Sequence, residues 1–189
     1  MMTKTDHLYV HVPFCKSICY YCDFCRRVYD KTLADRWLKA LKKEIDETCF
    51  GFYETIYIGG GTPTSLPDAI FEDVLRSLHD AFVSDALVEF CVEAGRPDTM
   101  TPAKLESMAR YGVNRVSANP QTMQAKTLRR IGRRHEPEDI VRMVHDLRAS
   151  GIPCINMDVI VGLPGENVRD IRDTMEKLGS EEHTSESSH

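Results

Sequence analysis

TIYIGGGTPTSLPDAIFEDVLRSLHDAF, residues 55–82, decides the fold. TIYIG (55–59) is short and apolar, rich in β-branched and aromatic residues, and reads as a buried strand. The glycine run 59–61 breaks it. Pro67-Asp68 then opens a helical pattern that continues to residue 82, because proline is favoured in the first turn of a helix. Strand, glycine loop and helix therefore follow one another within 28 residues. The same unit recurs outward in both directions. LYVHV (8–12), LVEFCV (87–92), RVSAN (115–119) and INMDVIV (155–161) are further strands, mostly apolar on both faces. Helical patterns cover 32–48, 102–111, 137–150 and 166–178. Thr101-Pro102 and Glu136-Pro137 mark two of their starts, and Gly112 and Gly151 two of their stops. Five strand–helix repeats predict an α/β fold with parallel strands and right-handed crossovers. A barrel, a partial barrel and an open doubly wound sheet all satisfy the pattern. In each, ligands bind at the C-terminal ends of the strands.

The chain has 189 residues, 42% hydrophobic and 28% charged, enough for one domain with its own core. A net charge of −5 argues against nucleic acid as a partner. No stretch is long and apolar enough for a membrane span, and MMTKTDHLYVHVP lacks the layout of a signal peptide, so a cytoplasmic location is expected. Seven cysteines, four of them within residues 15–25, point to metal rather than to disulfides. GSEEHTSESSH (179–189) is polar and aperiodic and reads as disordered. It also resembles the translation of a common sequencing adapter, which marks it as non-native and leaves residues 1–178 as the folded domain.

Cys15, Cys19 and Cys22 form a C-x3-C-x2-C pattern on the loop after the first strand. Three thiolates can each hold one iron of a 4Fe–4S cube and leave the fourth iron open. A structural zinc site is the alternative, with Cys25 or His11 as fourth ligand. Cys49 is placed at a helix end, and Cys91 and Cys154 in strands, where cysteine behaves as a small buried apolar residue. The run 59–61 lets backbone amides approach a ligand closely, and no Gly-Lys-Ser/Thr follows to make it a phosphate loop. Glu93 ends the third strand, where it is either a ligand-binding carboxylate or a solvated loop residue.

YVHVPFC (9–15) followed by CYYCDF (19–24) resembles the opening of the oxygen-independent coproporphyrinogen oxidase group of radical S-adenosylmethionine proteins. The resemblance runs from about Leu8 to Glu166, with three further motifs in the same order. It implies a partial parallel (β/α) barrel with five of six units present, a 4Fe–4S cluster on Cys15, Cys19 and Cys22, and S-adenosylmethionine as cofactor. It further implies that Gly60, Gly61 and Thr62 contact the methionine part of the cofactor. Glu93, Gln121, Arg133 and Asp158 bind the cofactor as well, and Tyr9 and Tyr21 lie near it. Arg129, Arg130, Arg133 and Arg134 together also read as a wet helix face. The implied chemistry is reductive cleavage of the cofactor, hydrogen abstraction from a propionate side chain and loss of carbon dioxide to leave a vinyl group.

VEAGRPDTM (92–100) and VSANPQTM (116–123) look most like the coproporphyrinogen dehydrogenase branch, HemZ, whereas haem chaperone relatives read closer to "GVQS" at the second place. The implied activity is oxidative decarboxylation of coproporphyrinogen III in haem biosynthesis, fed by an electron donor such as flavodoxin or ferredoxin. The alternative is a haem-binding chaperone of the same superfamily. One departure counts against the decarboxylase. The best-understood oxidases carry a further cysteine two residues after the third cluster ligand, and Phe24 stands there, with Cys25 one place beyond. Against a six-unit barrel followed by another domain, the chain reads as incomplete at both ends. A piece of this kind is expected to be inactive and, with 155–161 as an open edge strand, to aggregate.

Overall fold

The computed structural model describes residues 7–48 and 53–183. Cys49 and the last six residues lie outside that range. Five parallel strands form the central sheet: β1 (His7–Val12), β4 (Thr55–Gly60), β5 (Glu89–Glu93), β6 (Arg115–Ser117) and β7 (Cys154–Asn156). They stand side by side in chain order, with Tyr9 opposite Tyr57, Ile58 opposite Val92 and Ser117 opposite Asn156. An open doubly wound sheet reverses direction at a switch point. Here the order never reverses, which is how a barrel wall is laid down.

Helices α1 (Lys31–Thr48), α2 (Asp68–Phe82), α3 (Pro102–Arg110) and α5 (Pro137–Ala149) lead from one sheet strand to the next, and α6 (Val168–His183) follows the last strand. Val10, Val12, Ile56, Ile58, Phe90, Val92 and Val116 face the helices and share one core with Phe71, Leu75 and Leu78 of α2, Met108 of α3 and Leu147 of α5. Phe71, Leu75 and Leu78 are at most 1% exposed, and burial of such a side chain contributes roughly 1.5–3 kcal/mol. The alternate positions, Tyr9, His11, Tyr57 and Glu93, line a cavity on the other face of the sheet. The strands are therefore not apolar on both faces as their composition suggests. Their period of two separates a greasy helix side from a polar ligand side.

Three further differences from the sequence reading have local causes. The last strand is three residues long, not seven. Beyond Asn156 its continuation keeps a single bridge, Val159 to Gln121, and Val161 is exposed. Cys154 is not buried but exposed, since it starts the strand at the edge of the sheet. Helix α6 runs to His183, five residues into the segment 179–189 read as disordered. A helix already nucleated gains one hydrogen bond per added residue, and the two glutamates there are good helix formers.

Candidate functional site

Two short strands tie the base of the cysteine loop. β2 (Phe14–Cys15) pairs in parallel with β3 (Arg27–Val28), and the Arg27 and Tyr29 amides donate to the Pro13 and Cys15 carbonyls at 2.7 and 2.8 Å. Phe14 anchors the loop to the core, edge-on to both Tyr29 and Trp37. The glycine loop packs directly on this base. The Gly61 amide donates to Val12 O and the Thr62 amide to Phe14 O, both at 2.7 Å. A Cβ on Gly61 would lie 2.6 Å from Phe14 O and 3.0 Å from Cys15 Sγ, so only glycine allows the approach. Thr62 Oγ1 donates to Cys15 Sγ at 3.6 Å. Burial pushes the Cys15 thiol up, against this hydrogen bond and the nearby Arg96, which draw it down.

Above these loops opens a cavity of about 1070 Å³ at the C-terminal ends of the strands. All twelve residues singled out in the sequence line it. The cysteine loop brings Cys15, Cys19, Tyr21 and Cys22, and β1 brings Tyr9. Gly60 ends β4, Gly61 and Thr62 follow it, and Glu93 ends β5. Gln121, Arg133 and Asp158 come from the segments after β6 and β7. Cys15 and Cys19 are buried, Cys22 is half-buried and Cys25 is exposed.

Glu93 accepts hydrogen bonds from the Gly60 amide and the Tyr57 hydroxyl, and burial holds its carboxyl above the ordinary carboxylate value, with Asp158 adding to the rise. Burial, and then Glu93, push the Tyr57 phenol up to about 12. Gln121 sits at φ 67°, a left-handed backbone that costs a non-glycine residue energy. Its backbone both donates to Asp158 O and accepts from the Ile160 amide, at 3.0 Å each, which joins the β6 and β7 rims. Arg133 is not on a wet helix face. It follows the short helix α4 (Ala125–Arg130), is 5% exposed, and donates to Gly95 O at 2.6 Å, Asn119 O at 2.9 Å and the Tyr21 hydroxyl at 3.0 Å. One guanidinium thus clasps the cysteine loop to the ends of β5 and β6.

Tyr57, Arg96 and Asn119 are cavity residues that escaped the sequence reading, and His11 entered it only as an alternative zinc ligand. His11 and Tyr57 share the period-two face of Tyr9 and Glu93, which was the available signal. Arg96 and Asn119 lie just beyond β5 and β6, where the strand-end rule places ligand contacts.

The donor set separates the two metal readings. Among the described residues no three His, Cys, Asp or Glu side chains converge on one point as a single ion requires. His11 is already engaged through both ring nitrogens, with the Tyr9 hydroxyl at 3.1 Å and Cys25 O at 2.9 Å. Three thiols on one tied loop suit a cube that takes one thiolate per iron. Two buried polar atoms of the cavity residues, Arg96 Nη2 and Asn119 Oδ1, have no partner among the described residues, which fits a polar ligand.

A parallel sheet in barrel order, with a three-cysteine loop and a glycine loop at its ligand end, defines a class of iron–sulfur cofactor enzymes. Residues 9–178 match the radical SAM superfamily, and the chain belongs to it. Members of this superfamily bind a 4Fe–4S cluster and S-adenosylmethionine. The chain is 38% identical to the oxygen-independent coproporphyrinogen-III oxidase-like protein HemZ of Bacillus subtilis, over 94% of this chain and 38% of that protein. It is 33% identical to the heme chaperone HemW of Lactococcus lactis, over 94% and 47%. Among solved structures, coproporphyrinogen III oxidase (HemN) of Escherichia coli matches with a TM-score of 0.85 at 28% identity, over 94% of this chain and 42% of that one. The chain therefore spans less than half the length of each of these relatives. No helix among the described residues is long and apolar enough to cross a membrane.

Proposed function

We propose that Cys15, Cys19 and Cys22 hold the 4Fe–4S cluster, and that the cavity above them binds S-adenosylmethionine for the oxygen-independent oxidative decarboxylation of coproporphyrinogen III to protoporphyrinogen IX. The observation that carries this reading is the convergence of twelve residues, spread from position 9 to position 158, on one cavity. When bound, the reduced cluster and the cofactor supply the one-electron chemistry that breaks a strong C–H bond. The protein's own part is placement. Gly60, Gly61 and Thr62 offer a close backbone edge to the methionine end. Glu93 and Asp158 set negative charge against the cofactor's cationic groups, and Arg133 sets positive charge against its carboxylate. Tyr9, Tyr21 and Gln121 complete the walls and keep water from the reacting bond. Flavodoxin or ferredoxin supplies the electron.

A second reading, haem binding without decarboxylation, is favoured by Phe24, which stands where the best-understood oxidases have a cysteine, and by the similarity to HemW. Anaerobic incubation of the reconstituted protein with coproporphyrinogen III, reductant and S-adenosylmethionine separates them. Vinyl product supports the oxidase. Stoichiometric haem uptake with no product supports the chaperone. Zinc in place of iron and acid-labile sulfide would sink both.

A further inference from the structure

Arg96 lies three residues beyond Glu93, in the loop after β5, and is 3% exposed. A buried cation is expected to be paired with a carboxylate, and the one paired with Arg96 is shared with a second cation. Its nearest carboxylate, Asp98 Oδ1, stands 3.3 Å from Nε, and the other oxygen of Asp98 is drawn 3.1 Å from Lys16 Nζ. The stronger contacts of Arg96 reach the cysteine loop. Nη1 donates to both the carbonyl and the hydroxyl oxygen of Ser17, at 2.8 Å each. Ser17 lies between Cys15 and Cys19. Nη2 is buried without a partner among the described residues, on a side chain that lines the cavity.

We propose that Arg96 is a positioning residue that pins the cysteine loop and places a permanent positive charge against the cluster, so that the cluster is easier to reduce. The inference rests on the cluster assignment above. A guanidinium stays protonated at any pH a protein survives. The reduced cluster carries one more negative charge than the oxidised one. A fixed cation in a buried setting therefore stabilises the reduced form more, and net charge and hydrogen bonding around such clusters set their potentials. Asp98 works in the other direction, because it partly neutralises Arg96.

The test is an EPR-monitored redox titration of the anaerobically reconstituted protein, with iron and sulfide measured on each sample. In Arg96→Gln the ratio of reduced to oxidised cluster at a fixed potential should fall roughly tenfold, a shift of about 59 mV to more negative values for one electron. Arg96→Lys, which keeps the charge, should stay near the parent. Asp98→Asn, which frees the charge, should shift to less negative values. A loop staple with no electrostatic role predicts lower iron content in Arg96→Gln and no shift in Asp98→Asn, and that result overturns the proposal even if Arg96→Gln holds no cluster. Potentials unchanged in both variants overturn it as well. Absence of iron and sulfide in the parent refutes the cluster assignment itself, and is read from the metal analysis rather than from the potentials.

Discussion

At the scale of single residues, Gly60 and Glu93 carry opposite lessons about the cavity. Gly60 sits at φ 111°, and a Cβ there would lie 2.8 Å from the His11 ring and 2.9 Å from Val12 O. The imidazole can turn away, but the carbonyl belongs to the neighbouring paired strand. Gly60→Ala should therefore cost about 1–3 kcal/mol in a denaturant melt. Loss of cofactor binding should follow, since the Gly60 amide also holds Glu93. Unchanged stability would show that the loop relaxes freely. Glu93 is a half-buried carboxyl whose folded value lies above the ordinary one. Its protonated form is favoured on folding, so the folded chain bears the cost of the ionised form only above the ordinary carboxylate range, near 4.3. Glu93→Gln should thus be more stable than the parent at neutral pH, with the gain vanishing as pH falls below 4, and should no longer bind S-adenosylmethionine. An equal difference at pH 4 and pH 7 would count against the buried charge. Gln121 and Asp158 were read only through the family resemblance, whereas Glu93 was legible because strand-end positions in a parallel α/β fold face the ligand. Tyr57 and Arg96 were not. Tyr57 reads as an ordinary aromatic strand residue until the inward face is known, and the importance of Arg96 depends on Ser17, 79 residues away in sequence.

At the scale of elements, proline and glycine punctuation located the crossover helices well. The helix expected over 102–111 is observed at Pro102–Arg110, and that over 137–150 at Pro137–Ala149. Thr101 is the N-cap of α3. Its hydroxyl accepts from the Lys104 amide at 3.3 Å and donates to Asp68 of α2 at 2.8 Å. Thr101→Ala removes both contacts and should lower stability by about 0.5–2 kcal/mol, as a lower denaturant midpoint with an unchanged slope. No loss at all would mean that Pro102 alone starts the helix. Helix α4 was missed, since six residues give too little periodicity to read. The over-long final strand has a physical cause as well. INMDVIV is β-branched and apolar, but a strand persists only where it has a partner. β6 ends at Ser117, and beyond it the chain turns through the left-handed Gln121. Propensity said strand, and the neighbour withheld the hydrogen bonds.

At the scale of the whole molecule, sequential strand order gives the cavity a mechanical property. Each successive βα unit adds a segment of the rim, so a ligand that touches all of them joins segments from every strand of the sheet. Gln121 and Asp158 join β6 to β7, Arg133 joins the cysteine loop to β5 and β6, and Glu93 joins β5 to β4. Binding at such a rim should protect all these loops at once. With the cluster reconstituted and S-adenosylmethionine at about 100 times its Kd, mass action adds about 2.7 kcal/mol. For a chain of this size that corresponds to a rise in Tm of roughly 5–10 °C. Hydrogen exchange should slow together at residues 59–62, 93–96, 121 and 158–160, whereas helix α6 on the outer surface should change little. Cys19→Ser should abolish most of the effect, because the cluster supplies the anchoring point for the ligand. Methionine alone should reproduce only the protection around residues 59–62. If S-adenosylmethionine slowed exchange in one loop only, or raised Tm equally without the cluster, the cavity would not be the single site that its lining describes.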